Sequence, residues 1–375
     1  MRLNLVLLHS FYFLVLAGFI AANDVQAKSI TCQQDSTIKI GLLIQDNNSF
    51  AAKQGAELAI KKANETGGIK KKKFQLVVLS MEGPWGTGSK QAVNLIFNEK
   101  VTAIMGSHDG RNAHLVEQVT TKARTVFLSC WAGDPTLSQA FVPWFFSCVP
   151  NDLHQADALI EEIYNKKKLS KIAVISDNGY DSKMSMETFV KKAGSSGKNI
   201  SLQLHYDNQN KDFIDLIKQI YKADINGIVL FGQPSAFLKL TEELEQKKMN
   251  PTIFGAMSLL DEDKIPDNNL SVYKNIVLIY PGNLSGPKSL AFRDEYLSIY
   301  GKLPGAVAAY SFDGMNILIE AIRKAGLDRE NIQKTLSKMS YKGVTGLIQF
   351  DDKGKRMGTP GFMTIKNGVQ AIPVK

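Results

Sequence analysis

Histidine, aspartate, arginine and tryptophan, the residues best suited to chemistry, gather in a few short stretches. His108 and Asp109 are adjacent, Arg111 follows, and a second histidine stands at His114. On a helix the spacing from His108 to His114 sets the two imidazoles on different faces, which is not metal-ligand spacing. The chain has no paired Cys or His spacing of the zinc type. It also has no nucleophile-elbow pattern, no P-loop and no GxGxxG fingerprint. These absences argue against catalysis, a bound metal or any cofactor. What remains is recognition. Arg111 could pair bidentately with a carboxylate, and His108 and Asp109 could add hydrogen bonds. Trp85, Trp131, Tyr180 and Phe231 could offer flat apolar walls to an aromatic or aliphatic solute. Each also has a plainer reading: Phe231 and Trp131 as core, Trp85 within GPWGTG as a loop plug, Arg111 as a partner of Asp109 or Asp134.

Such residues act only if the backbone brings them together. Continuous apolar runs alternate with helix-like segments from residue 38 onward. IKIGLLI (38–44), FQLVVLS (74–80), VTAIMG (101–106) and TVFLSC (125–130) form a first series. KIAVIS (171–176), SLQLHY (201–206), GIVLFG (227–232) and TIFGAM (252–257) form a second. Runs without polar alternation are what a sheet covered on both faces requires. Between them, Ala52, Ala56, Ala59, Ile60 and Ala63 recur at helical spacing before Gly67-Gly68, and Met315, Leu318, Ile319 and Ile322 do so before Gly326. Asp313 reads as a helix cap. Strand and helix in alternation predict parallel sheets with right-handed crossovers, and two series predict two doubly wound α/β lobes. The first series ends near Val149-Pro150-Asn151. NIVLIYPGN (275–283) is expected to run back toward the first lobe, and GVTGLIQFDD (343–352) to cross again. The lobes are then residues 36–149 with 280–342 and residues 152–276 with 347–375, joined by crossing strands. In such lobes ligands sit beyond the carboxyl ends of the strands. The windows to inspect are therefore Gln45–Phe50, Met81–Thr87, Ser107–Arg111, Cys130–Asp134, Asp177–Asp181, Gln233–Ser235 and Ala256–Leu259.

Arg2, the apolar stretch FYFLVLAGFIAA (11–22) and Val25-Gln26-Ala27 read as a cleaved export signal over residues 1–27, which places the mature chain in the periplasm. The apolar stretch is short for a membrane span. No lipid-attachment pattern precedes Cys32. Lys and Arg number 45 against 36 Asp and Glu, a net charge of +9. The excess lies in Lys70–Lys73, Lys166–Lys168 and scattered helix lysines with no interleaved aromatics, so a solvated surface is expected and nucleic acid is not. Of three cysteines, Cys130 and Cys148 end neighbouring apolar stretches and are the expected disulfide pair.

Several motifs, in order, resemble the solute-binding proteins of ABC transporters, in particular the leucine/isoleucine/valine-binding (amino-acid and amide, type I periplasmic binding protein) family. IKIGLLIQ with QGAELAIKKANETGGI is similar to that family's opening strand and helix. GDPTLSQ (133–139) and VPND (149–152) resemble its post-strand turn and its passage into the second lobe. Asn178-Gly179-Tyr180 falls where the family carries a cleft tyrosine. KDFIDLIKQI (211–220), AAYSFDGMNIL (308–318) and GVTGLIQFDDKGKR (343–356) resemble later segments. The resemblance spans nearly all of the chain after residue 27. It implies a Venus-flytrap protein, acting as a monomer without chemistry or cofactor, that closes on a small molecule and delivers it to a membrane permease. The alternative role on the same fold is a periplasmic sensor presenting a carboxylated or aromatic solute to a receptor. Aligned on the family, Gly110, Gly133 with Trp131 and Ala132, and Met257 stand where amino-acid contacts are usual, and Gln233 opens the turn after a second-lobe strand. The family's polar carriers of α-amino-acid recognition are thus largely replaced.

Overall fold

The computed structural model describes residues 37–107, 109–138, 143–207, 213–265, 270–273, 275–280, 282, 287–366 and 369–371. The export-signal segment, Cys32 and His108 lie outside these residues.

The first lobe is built on a five-stranded sheet. Its strands are β1 (Thr37–Ile44), β2 (Lys73–Ser80), β3 (Ile104–Ser107), β4 (Phe127–Ser129) and β5 (Phe145–Ser147), in the order β2-β1-β3-β4-β5. Every pairing is parallel. The helices between them are α1 (Phe50–Glu65), α2 (Thr87–Val93) and α3 (Gly110–Lys122). The three-residue β5 falls in none of the expected strands.

The second lobe has a seven-stranded sheet. After α4 (Asp152–Ile160) come β6 (Ile172–Asp177), α5 (Tyr180–Ser195), β7 (Leu202–Tyr206) and α6 (Ile214–Lys222). Then follow β8 (Gly227–Phe231), α7 (Pro234–Gln246), β9 (Thr252–Gly255) and β10 (Ile276–Tyr280). The helices α8 (Pro287–Tyr300), α9 (Ala306–Ala325) and α10 (Arg329–Ser337) precede a hairpin, β11 (Ser340–Gly343) with β12 (Gly346–Gln349). Strands β13 (Gly361–Lys366) and β14 (Val369–Ala371) complete the sheet order β14-β13-β10-β9-β8-β6-β7. Only β13 and β14 join antiparallel.

Two expectations are corrected here. Residues 276–280 do not run back to the first sheet: they pair in parallel with β9 as a further strand of the second. The chain returns with α8, whose Tyr296 and Tyr300 hydroxyls bond Gln54 on α1. Nor does 343–352 cross. The hairpin stays beside the first sheet, where Lys355 bridges Ser147 and the Arg356 guanidinium donates to Cys148 O, Thr345 O and Leu347 O. The crossing falls between Arg356 and β13.

The apolar faces read from the sequence are the core. Ala52, Ala56 and Ala59 of α1 and Met315, Leu318 and Ile322 of α9 are fully buried. The two helices touch because Gly55 lacks a side chain: a Cβ there would lie 2.3 Å from Ala308 O. Asp313 does not cap α9. It lies inside the helix, fully buried, and accepts Val344 N (2.9 Å), Thr345 N (2.7 Å) and Thr345 Oγ1 (2.6 Å), which ties the hairpin down. Cys130 and Cys148 sit side by side at the ends of β4 and β5 but form no mutual disulfide. Their thiols donate to Gly106 O (3.1 Å) and Ser129 O (3.3 Å). Burial pushes the Cys148 thiol far up, so it stays protonated.

Candidate functional site

Parallel strands of both sheets deliver their carboxyl ends to one cleft of about 250 Å³, at the small end for ligand sites. The first lobe lines it with Gln45 after β1, Asp109 and Arg111 at the start of α3, and Trp131–Asp134 after β4. The second lobe contributes Asp177 to Ser185 around the start of α5, Gly232 and Gln233 after β8, and Ala256–Ser258 after β9.

The structure brings most of the expected residues together here: Asp109, Arg111, Trp131, Ala132, Gly133, Tyr180, Gln233 and Met257 all face the cleft. Gly110 adjoins it and donates its N–H to Asp181 Oδ1 at 2.9 Å. Trp85 stands outside the lining, 70% exposed. It meets the site through Arg111, whose guanidinium lies 5.7 Å from the Trp85 ring and 6.0 Å from the Tyr180 ring. Asp109 caps α3 by accepting Asn112 N at 2.7 Å, a local role that its position before a helix explains. Trp131 is half-buried and meets Tyr310 edge-to-face at 6.3 Å, so its reading as core holds for one side of the ring only. Phe231 is buried in β8 against Phe189, as its place inside a strand predicts.

Sequence reasoning missed Asp152 and Gln155 on the first turn of α4, Ser182 and Ser185 on α5, and Asp261 with Lys264 beyond β9. Polar residues three apart at a helix start were the available signal. Gln155 Oε1 accepts Met257 N at 2.9 Å, which fixes the turn after β9. The segment Asp261–Lys264 has a second attachment. Glu262 accepts Val307 N (2.8 Å) and Ala308 N (2.7 Å) at the start of α9, and Asp263 accepts Ala51 N (2.9 Å) at the start of α1.

The lobes meet directly across the cleft. Tyr180 donates its hydroxyl to Asp134 Oδ2 at 2.9 Å, and Asp181 receives Gly110 N. Behind Asp134 stands His114, with Nε2 3.2 Å from the same oxygen. Burial works against the Asp134 charge, but hydrogen bonds from His114, Thr136 and Tyr180 outweigh it and hold the carboxyl at about 2. Hydrogen bonds to Asp134 and then Glu117 carry His114 from its ordinary 6.5 to about 9. The signs follow by linkage. The raised imidazole stabilises the fold fully below pH 6.5 and loses that effect as pH rises through 9, and the depressed carboxyl loses its own as pH falls from 3.8 through 2. The melting temperature of this protein should therefore decline as pH rises from 6.5 to above 9, and the decline should flatten in His114→Gln. An equal decline in that variant would assign it to other groups.

The comparisons with known proteins agree with this architecture. The sequence model described as "Periplasmic binding protein" matches residues 37–367. The chain belongs to the periplasmic binding protein family. One relative of this periplasmic binding protein is "Leu/Ile/Val-binding protein homolog 1" of Brucella abortus, 26% identical over 352 residues, covering 88% of this chain and 90% of the relative. Among solved structures, the branched-chain amino acid transporter substrate-binding protein LivJ from Streptococcus pneumoniae in complex with isoleucine superposes with a TM-score of 0.80. It is 22% identical and covers 89% of this chain and 97% of LivJ. A solute-binding protein of an ABC transporter from Rhodopseudomonas palustris, in complex with 3,4-dihydroxybenzoic acid, gives 0.75 at 19% identity, covering 91% and 98%. These structures share the fold of mixed α/β lobes with parallel sheets. Among the described residues, no helix is long and apolar enough to cross a membrane.

Proposed function

We propose that this chain is the extracytoplasmic solute-binding component of an ABC importer. It holds a small organic solute of the amino-acid and amide class between its lobes and passes it to a membrane permease, as a monomer, with no chemistry, cofactor or nucleic acid. The observation that carries this reading is the cleft itself, lined by strand ends of both sheets and bridged by Tyr180–Asp134 and Gly110–Asp181. A solute touching both lobes favours the closed arrangement by its differential affinity for it. The family match supports the role, and the relative and neighbour named for leucine, isoleucine and valine support the solute class. The export signal read in residues 1–27 supports a periplasmic location. Asp109, Arg111, Trp131, Gly133, Tyr180 and Met257 are the residues we assign to solute contact.

The test is a thermal-shift screen of amino acids, amides, carboxylates and aromatic acids, because a solute that binds only the native state must raise the melting temperature. A chain that responds to no small solute would sink the proposal. With a binder in hand, Trp131→Ala should weaken affinity by about 1–3 kcal/mol, the scale of a lost aromatic contact. Unchanged affinity with lower thermal stability would return Trp131 wholly to the core.

A further inference from the structure

The charge balance of the cleft says something about its solute that the family does not. Among the described residues its lining carries six carboxylates, Asp109, Asp134, Asp152, Asp177, Asp181 and Asp261, against two cationic side chains, Arg111 and Lys264. Lys264 is taken by Asp261 at 3.0 Å, and Asp134 is matched from behind by His114. Arg111 is spread over the rings of Trp85 and Tyr180.

Three acids accept hydrogen bonds from neutral donors alone, and of these only Asp181 lies in the field of a cation, Arg111. Asp152 receives Ser185 Oγ (2.7 Å) and Gln155 Nε2 (3.3 Å), Asp177 receives Gly179 N (2.8 Å), and Asp181 receives Gly110 N (2.9 Å). Asp152 and Asp177 are 6% and 2% exposed. The second oxygen of Asp177 has no donor among the described residues, although its side chain lines the cleft. A buried carboxylate without a cation is costly, and the usual remedies are a partner or a proton. Burial indeed holds Asp152 far above the usual carboxylate range and pushes Asp181 up to about 6, with the neighbouring acids adding to both.

A zwitterion adds no net charge to such a site, and an anion makes the imbalance worse. A metal ion does not fit either: among the described residues no three carboxylates or imidazoles converge closely enough to hold one. The cleft also presents Trp131 and Tyr180, whose ring faces attract an ammonium. We infer that the solute is a small organic amine of net positive charge, its ammonium set against Asp152, Asp177 and Asp181 beside the aromatic walls. The inference rests on the reading of this cleft as the solute site and narrows the solute within it.

The experiment is calorimetric titration of the full chain, with melting temperature as a second readout, against two sets of probes. One set is putrescine, cadaverine and L-lysine. The other is L-leucine, L-isoleucine, acetamide and benzoate. A member of the cationic set should bind at least about tenfold more tightly than any of the other set. Asp177→Asn should weaken that binding by about tenfold or more, while its own melting temperature without solute holds or rises because a buried charge is gone. Leucine, isoleucine, acetamide or benzoate binding as tightly as the best amine would overturn the inference and leave the importer reading intact. Amine binding unchanged in Asp177→Asn, with the variant folded, would overturn it too. If neither set binds, this inference falls, and the importer reading is decided by the wider thermal-shift screen.

Discussion

Replacing Asp313 by alanine should lower the stability of this protein by about 3–5 kcal/mol, the cost of opening a buried charge network. The carboxylate lies inside α9 with no exposure and satisfies Val344 N, Thr345 N and the Thr345 hydroxyl. Alanine would leave these three donors buried without partners. It would also remove the negative charge near Arg356, a residue 8% exposed whose guanidinium holds the hairpin to the end of β5. The loss should appear as a lower denaturant midpoint at unchanged slope. A change below about 1 kcal/mol would mean that water reaches the freed donors and that the hairpin is not anchored here.

Gly110→Ala should cost solute affinity about tenfold or more. A Cβ at this position would stand 2.6 Å from Asp134 Cβ, 2.9 Å from Asp134 Oδ2 and 3.0 Å from Asp181 Oδ1. Asp134 cannot give way, because His114, Thr136 and Tyr180 fix both of its oxygens. The contacts with Asp134 lie within the first lobe and shift the start of α3, while Asp181 belongs to the opposite lobe, so its contact is relieved by moving the lobes apart. Titration of the variant with a solute that binds the parent chain, together with small-angle scattering, should show weaker binding and a larger radius of gyration. Equal affinity would show that closure does not depend on the close approach at Gly110.

The two sheets were readable because strands covered on both faces need unbroken apolar runs, and eight such runs became β1–β4 and β6–β9. The three-residue β5 follows Pro143, which interrupts its apolar run, whereas the equally short β4 sits inside the unbroken run 125–130. The position of β10 depends on which neighbour it pairs with, which hydropathy does not encode. The same division holds at the site. The windows after the strands contained Gln45, Asp134, Asp177 and Asp181 because the rule for parallel sheets is topological. Asp152, Ser185 and Lys264 reach the cleft through the packing of α4, α5 and the turn beyond β9, and their only local mark is a polar partner three residues away. Arg111 was readable as a cation but not as one laid over two rings. Cys130 and Cys148 were placed as neighbours correctly, but adjacency in parallel strands brought each thiol to a carbonyl of the strand beside it.

The short segment from Asp261 to Lys264 faces two ways. Its ends line the cleft, while Glu262 and Asp263 between them grip the first turns of α9 and α1 in the other lobe. Two consecutive acids seated on two helix ends form a bearing. Sliding one lobe past the other at that point would break all three hydrogen bonds. A guest that presses on Asp261 or Lys264 therefore bears on the segment that ties the second lobe to the first.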